Sequence, residues 1–255
     1  MGKLFPRALK KSPLVSSTAE LRFTSTLPVA ALFGMLYTTE RDRYPEVEQL
    51  PAANLPPQVL QMDPNLQFQA HFALKRREGG PVFHLGPKVF SATSVPGHHI
   101  DVAYLRSEFL RVLKAFDALG AVLNYERLGL RYINFFEGQN VLRHSTLELS
   151  LEGTSLTDAD VQLRVSRRSG EFTSTLNIMS DAQVAFGQPM APVAPPDAKK
   201  GSLVDIDVSQ DVLRLAADNR AEQLVDLFDQ AHDIAKRLFF KSLTDDFIVK
   251  LEPEF

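Results

Sequence analysis

Between Val122 and Phe136 the chain reads VLNYERLGLRYINFF, the densest run of strand-forming residues in the middle of the sequence. A strand places alternate side chains on opposite faces. Leu128, Leu130, Tyr132, Asn134 and Phe136 therefore share one face, and Arg127, Gly129, Arg131, Ile133 and Phe135 share the other. Large apolar groups on both faces mark an internal strand, covered on both sides. Just before it, Leu105, Phe109, Val112, Phe116 and Leu119 recur at steps of four and three. That spacing predicts one amphipathic helix over residues 102–119. Asp101 is suited to cap its start, and Gly120 to close it in the left-handed region.

The flanking sequence extends this helix-then-strand unit. Residues 14–23 alternate as Val15, Ala19, Leu21 and Phe23 against Ser16, Thr18, Glu20 and Arg22, the period of a half-buried strand. Thr26 and Pro28 open a helix that runs to about residue 42. Residues 44–64 hold Pro45, Pro51, Pro56, Pro57 and Pro64, which predicts an irregular surface crossing. Residues 66–76 and 81–93 read as a hairpin turned at Gly79 and Gly80, with a bulge or break at Gly86–Pro87. Further strands are predicted over 145–152, 160–167, 171–179 and 202–209, with Arg168, Ser169 and Gly170 at one hairpin tip. A second proline-rich loop covers 187–201. A long helix is expected over 219–241, with Leu224, Leu227, Phe228, Ala231, Ile234, Ala235 and Leu238 on its apolar face. A short helical turn near Thr244 and an extended tail follow it. The basic residues 1–11 read as a solvated arm.

Strands grouped in hairpins, with few helices, predict an α+β fold: an antiparallel-rich sheet with helices packed mainly on one face, the long C-terminal helix among them. One domain over 1–255 is expected, with two sub-halves of about 1–140 and 141–255.

Composition narrows the chemistry. The chain of 255 residues has no cysteine, which excludes disulfides and thiolate metal sites. A net charge of -3 gives no whole-molecule attraction to nucleic acid or to a membrane surface. No apolar run approaches the length of a membrane-spanning helix, and no h-region follows the basic N-terminus. The expectation is a soluble, cytoplasmic protein that needs no cofactor.

Four constellations could carry chemistry. Asp205 and Asp207 in VDIDV share a strand face, as paired metal-binding carboxylates would, although no Glu-x-Lys partner accompanies them. The solvent face of a strand is the simpler explanation of the two. His98, His99 and Asp101 lack a third ligand at a zinc spacing. His232 and Asp233 adjoin on the last helix, where an acid–base role competes with a histidine bonded across a packing seam. Arg127 and Arg131 project from one strand face. With Tyr132, Asn134, Arg164, Arg167 and Arg168 they could form a binding surface for an anion or nucleic acid, or pair internally with the many acids. No nucleotide-loop, hydrolase-elbow or zincin motif occurs.

SPLVSSTAELRF, YERLGLRYINFF and HDIAKRLFFKSLTDDF, in this order, resemble an uncharacterised bacterial family of proteins of about this length, sporadically distributed among genomes. The resemblance spans nearly the whole chain and is most specific in LGLRYIN. It carries no activity and no catalytic residues. Sporadic occurrence implies accessory genes such as phage defence or toxin–antitoxin cargo.

The reading that follows is a non-catalytic protein-interaction or regulatory module with a protein partner. Exposed sheet edges also allow a homodimer. A ligand-binding protein with an apolar cavity, or a metal-dependent nuclease or phosphodiesterase, stands as the alternative.

Overall fold

The computed structural model describes residues 5–56, 59, 63–94, 101–185, 198–211, 213, 215 and 219–255. In chain order the elements are β1 (Ala8–Leu9), β2 (Leu14–Ser25), α1 (Val29–Glu40), β3 (Glu46–Gln49), β4 (Phe72–Lys75), β5 (Val82–Leu85), β6 (Val89–Thr93), α2 (Val102–Asp117) and β7 (Val122–Glu137). They continue with β8 (Ser150–Leu151), β9 (Thr154–Ser155), β10 (Gln162–Ser169), β11 (Phe172–Val184), β12 (Lys199–Asp211), α3 (Arg220–Ser242), α4 (Asp245–Lys250) and β13 (Pro253–Glu254). Nine strands hydrogen-bond in the order β10-β11-β12-β7-β2-β6-β5-β4-β3. The fold is α+β with a large antiparallel sheet. The chain forms two compact units: residues 16–130 with 209–230, and residues 1–15 with 131–208 and 231–255.

In the unit holding residues 16–130, strand register lines up apolar residues row by row. Leu21 lies opposite Phe90, Phe90 opposite Leu85, and Leu85 opposite Phe72. Aromatic side chains from the helices land on these rows. Phe33 of α1 stacks on Phe72 at 4.2 Å, and Phe109 and Phe116 of α2 stack on Phe90 at 5.6 and 5.2 Å. The fully buried rings Phe90, Phe109 and Phe116 each contribute roughly 1.5–3 kcal/mol relative to exposure. The next row on the opposite face is polar, with Glu20 opposite Ser91 and Ser91 opposite His84. This alternation is why a period of two in the sequence becomes a one-sided core.

The Asp101 carboxylate caps α2 by accepting from the Ala103 N–H at 2.8 Å, and Gly120 adopts φ 68° beyond the helix. Beside α2, Glu40 and Glu108 are both buried. Arg111 donates to both Glu40 oxygens at 3.0 and 2.9 Å and also to Glu108, while the Tyr44 hydroxyl donates to Glu108 at 2.6 Å. Burial and the neighbouring Glu108 carboxylate push the Tyr44 hydroxyl far above its usual value, so it stays a donor.

In the unit holding residues 131–208, β10 and β11 form a hairpin whose pairing runs from Gln162↔Met179 to Ser169↔Phe172. Val204, Ile206 and Val208 of β12 are buried, as are Tyr132, Asn134 and Phe136 of β7, Phe240 and Phe247 of the C-terminal helices, and Leu243 between them. Gly201 is required by close approach: a Cβ there would lie 2.2 Å from the Phe136 carbonyl oxygen.

Several local expectations are corrected. The proline-rich stretch carries β3 between Pro45 and Pro51, because edge position spares a strand the flanking proline conflict. The break expected at Gly86–Pro87 is present and divides the second arm of the hairpin into β5 and β6, where a Cβ at Gly86 would meet the Gln69 carbonyl at 2.2 Å. Residues 145–152 are mostly not a strand: Val141–His144 is a 3-10 turn, Ser145 makes one isolated bridge to Leu243, and only β8 pairs, with β9. Pro28 occupies the cap position of α1, and Thr26 instead turns its hydroxyl to the Ala121 carbonyl. The basic start is tied down from Arg7 onward. β1 pairs with β13, and Lys11 bridges Glu252 at 2.6 Å. His98, His99 and residues 187–197 of the second loop lie outside the described residues.

Candidate functional site

The two carboxylates of β12 have different surroundings. Asp205 is 6% exposed although it lies opposite the apolar face of Val204 and Ile206. Its burial is offset by a two-pronged ion pair: Arg131 Nε and Nη2 donate to Asp205 Oδ1 and Oδ2, both at 2.9 Å. Asn177 Nδ2 adds a third donor at 3.1 Å. Asp207 is half-buried. Among the described residues no group of three histidines or carboxylates could hold a metal ion. Asp205 thus binds an arginine where a metal-dependent reaction would need it to bind a cation from solution.

His232 and Asp233 face different surroundings. The Tyr132 hydroxyl and His232 Nδ1 are 2.9 Å apart, with the rings edge-on at 5.7 Å. Burial pushes the Tyr132 hydroxyl well above its usual value, so it is neutral at physiological pH. Asp233 is exposed on α3, and its carbonyl accepts from Arg237 Nε at 3.2 Å. Asn134 is buried and donates to the Val204 carbonyl at 3.3 Å, which ties β7 to β12. Tyr132, His232 and Asn134 hold elements together.

The arginines separate into two classes. Arg127 is occupied by Glu20 at 2.8 Å and Asp211 at 3.2 Å. Gly129 makes room for it: a Cβ there would lie 2.6 Å from Arg127 Nη1. Arg131 is occupied by Asp205. Arg164, Arg167 and Arg168 are different. All three are exposed on β10, the terminal strand of the sheet order. Among the described residues, no carboxylate lies within ion-pair distance of any of them. Arg168 Nε donates to the Gly170 carbonyl at 3.3 Å. The register puts Arg164 opposite Asn177 and Arg168 opposite Thr173 on one face, and Arg167 opposite Ser174 on the other. Leu163 and the 45% exposed Val165 share the Arg167 face.

The sequence points out these arginines but not that their strand is an edge. One signal was available. In QLRVSRRS, charge falls on both faces of the strand, which an interior strand cannot bury and an edge strand tolerates. No family model matches the chain, and no curated protein matches it.

Proposed function

We propose that the chain is a non-catalytic protein-interaction module whose β10 edge receives an extended, acidic segment of a protein partner. The observation that carries this reading is the row of Arg164, Arg167 and Arg168, without carboxylates, along a strand whose outer side pairs with nothing among the described residues. An added strand gains affinity from main-chain hydrogen bonds and specificity from alternating side chains. A segment beside β10 would set acids near Arg164 and Arg168 on one face. On the other face it would set apolar groups near Leu163, Val165 and the stem of Arg167. Pairing of two β10 edges from two copies is disfavoured, because it would bring arginines together. A regulatory or accessory role in bacterial defence or a toxin–antitoxin system is one setting for such a module.

Arg127 and Arg131, already paired with acids, weigh against a nucleic-acid face built on them, and the Arg131 pair on Asp205 weighs against the nuclease reading. The test is fluorescence anisotropy with a labelled peptide of about ten residues alternating Glu and Val. The expected result is saturable binding that a triple variant, Arg164→Glu, Arg167→Glu and Arg168→Glu, abolishes. Equal binding by the variant, or none by the wild type, overturns the reading. Self-association lost in the same variant, measured by sedimentation, overturns it in favour of a second copy as occupant, with the acidic β3 strand as the natural counterpart.

A further inference from the structure

Within the unit that holds residues 131–208, a cleft of about 610 Å³ opens between the end of β7, the 3-10 turn after it, the segment before β2, and α4. That volume lies in the range of small-molecule sites. Its inner wall is aromatic. Phe136 and Phe247 lie 5.5 Å apart, and the His144 ring stacks flat on Phe247 at 4.3 Å and 6°. Its rim is cationic, with Lys11, Arg143 and Lys250, beside Ser12 and Gln139.

Two of the three rim cations are balanced by carboxylates. Lys11 meets Glu252 at 2.6 Å, and Arg143 Nε meets Asp158 at 2.6 Å. Glu137 is the carboxylate that lines the cleft, and Lys199 Nζ holds it at 2.7 Å. Lys250 is exposed, with no carboxylate within ion-pair distance among the described residues. An unbalanced positive charge therefore sits over an apolar, ring-lined floor. Burial holds His144 below its usual value, and Lys250 and Arg143 depress it further, so the imidazole adds a flat neutral surface rather than another charge.

We infer that this cleft binds a small organic anion, a planar ring bearing a phosphate or carboxylate, with the ring against His144 and the oxyanion among Lys250, Arg143 and Lys11. Arg143, whose Nε is held by Asp158, offers its terminal N–H groups to the oxyanion, and Lys250 a mobile point charge. This site is separate in residues and chemistry from the β10 edge.

Phenyl phosphate, inorganic phosphate and phenol serve as probes, followed by amide and imidazole NMR signals of the full chain. Phenyl phosphate is expected to shift His144, Gln139 and Lys250 saturably and more tightly than either fragment. Lys250→Glu changes an exposed side chain and is expected to weaken binding about tenfold while leaving the fold intact. Binding by inorganic phosphate as tight as by phenyl phosphate would remove the ring from the proposal and overturn it in that form. No saturable shift, shifts centred elsewhere, or unchanged affinity in Lys250→Glu would overturn it outright.

Discussion

Two glycines show how differently a missing side chain can be used. At Gly201 a Cβ would strike the Phe136 carbonyl, which is backbone and cannot move aside. At Gly129 it would strike the far end of Arg127, which can swing away. Gly201→Ala is therefore expected to lose about 2–3 kcal/mol in urea unfolding, and Gly129→Ala under about 1 kcal/mol. Comparable losses at the two positions would contradict this. Asp205 yields a second comparison. Arg131→Ala leaves a buried carboxylate with Asn177 as its donor, at a cost of about 1–2 kcal/mol, reduced because Arg131 itself is half in solvent. Asp205→Asn removes the buried charge along with the pair and is expected to cost less. If Asp205→Asn proves the worse of the two, the carboxylate has a role beyond this pair.

At the scale of elements, the sequence was most legible where period and chemistry agree. β7 follows VLNYERLGLRYINFF over its whole length, and α2 begins at the Asp101 cap and ends before Gly120, as its residues dictate. Legibility failed where tertiary placement decides. Leu147, Leu149 and Leu151 alternate like a strand, yet Leu151 is 65% exposed, and most of that stretch has no partner strand. The basic arm looked solvated because its tie, β13, lies at the opposite end of the chain and nothing local announces the pairing. Among candidate site residues, the residue types were legible but their partners were not. Arg131 and Arg167 look alike in sequence, and only the fold gives one of them a carboxylate. β1 and β13 are expected to act together. Removing Glu252 to Phe255 exposes the Arg7 and Lys10 amides, which now donate to the Glu254 and Glu252 carbonyls, and hydrogen exchange at residues 7–10 is predicted to rise. Unchanged protection there would mean that something other than β13 holds the arm.

For the whole molecule, three of the described histidines contribute to the response to acid. His71, His84 and His144 are all held below the usual value of 6.5, chiefly by burial. Lys75 also depresses His84, against a smaller opposing effect of Glu48, and Lys250 and Arg143 depress His144. The unfolded chain thus binds protons more readily than the folded one below that pH. Their full contribution to stability is present above 6.5 and is lost as pH falls through the lowered folded values. Tm is therefore expected to decline between about pH 7 and 5, before carboxylate protonation begins, and His84→Gln is expected to flatten that decline. A Tm constant over this window would contradict it. At the same scale, no described helix is long and apolar enough to cross a membrane, and the described fold presents charge without counter-charge along one edge strand. Hydrogen exchange of the full chain, with and without the alternating Glu–Val peptide, tests that central claim most directly. The account predicts new protection confined to residues 162–169, absent in the Arg164, Arg167 and Arg168 charge-reversal variant. Protection elsewhere, or unchanged exchange along β10 at saturating peptide, would contradict it.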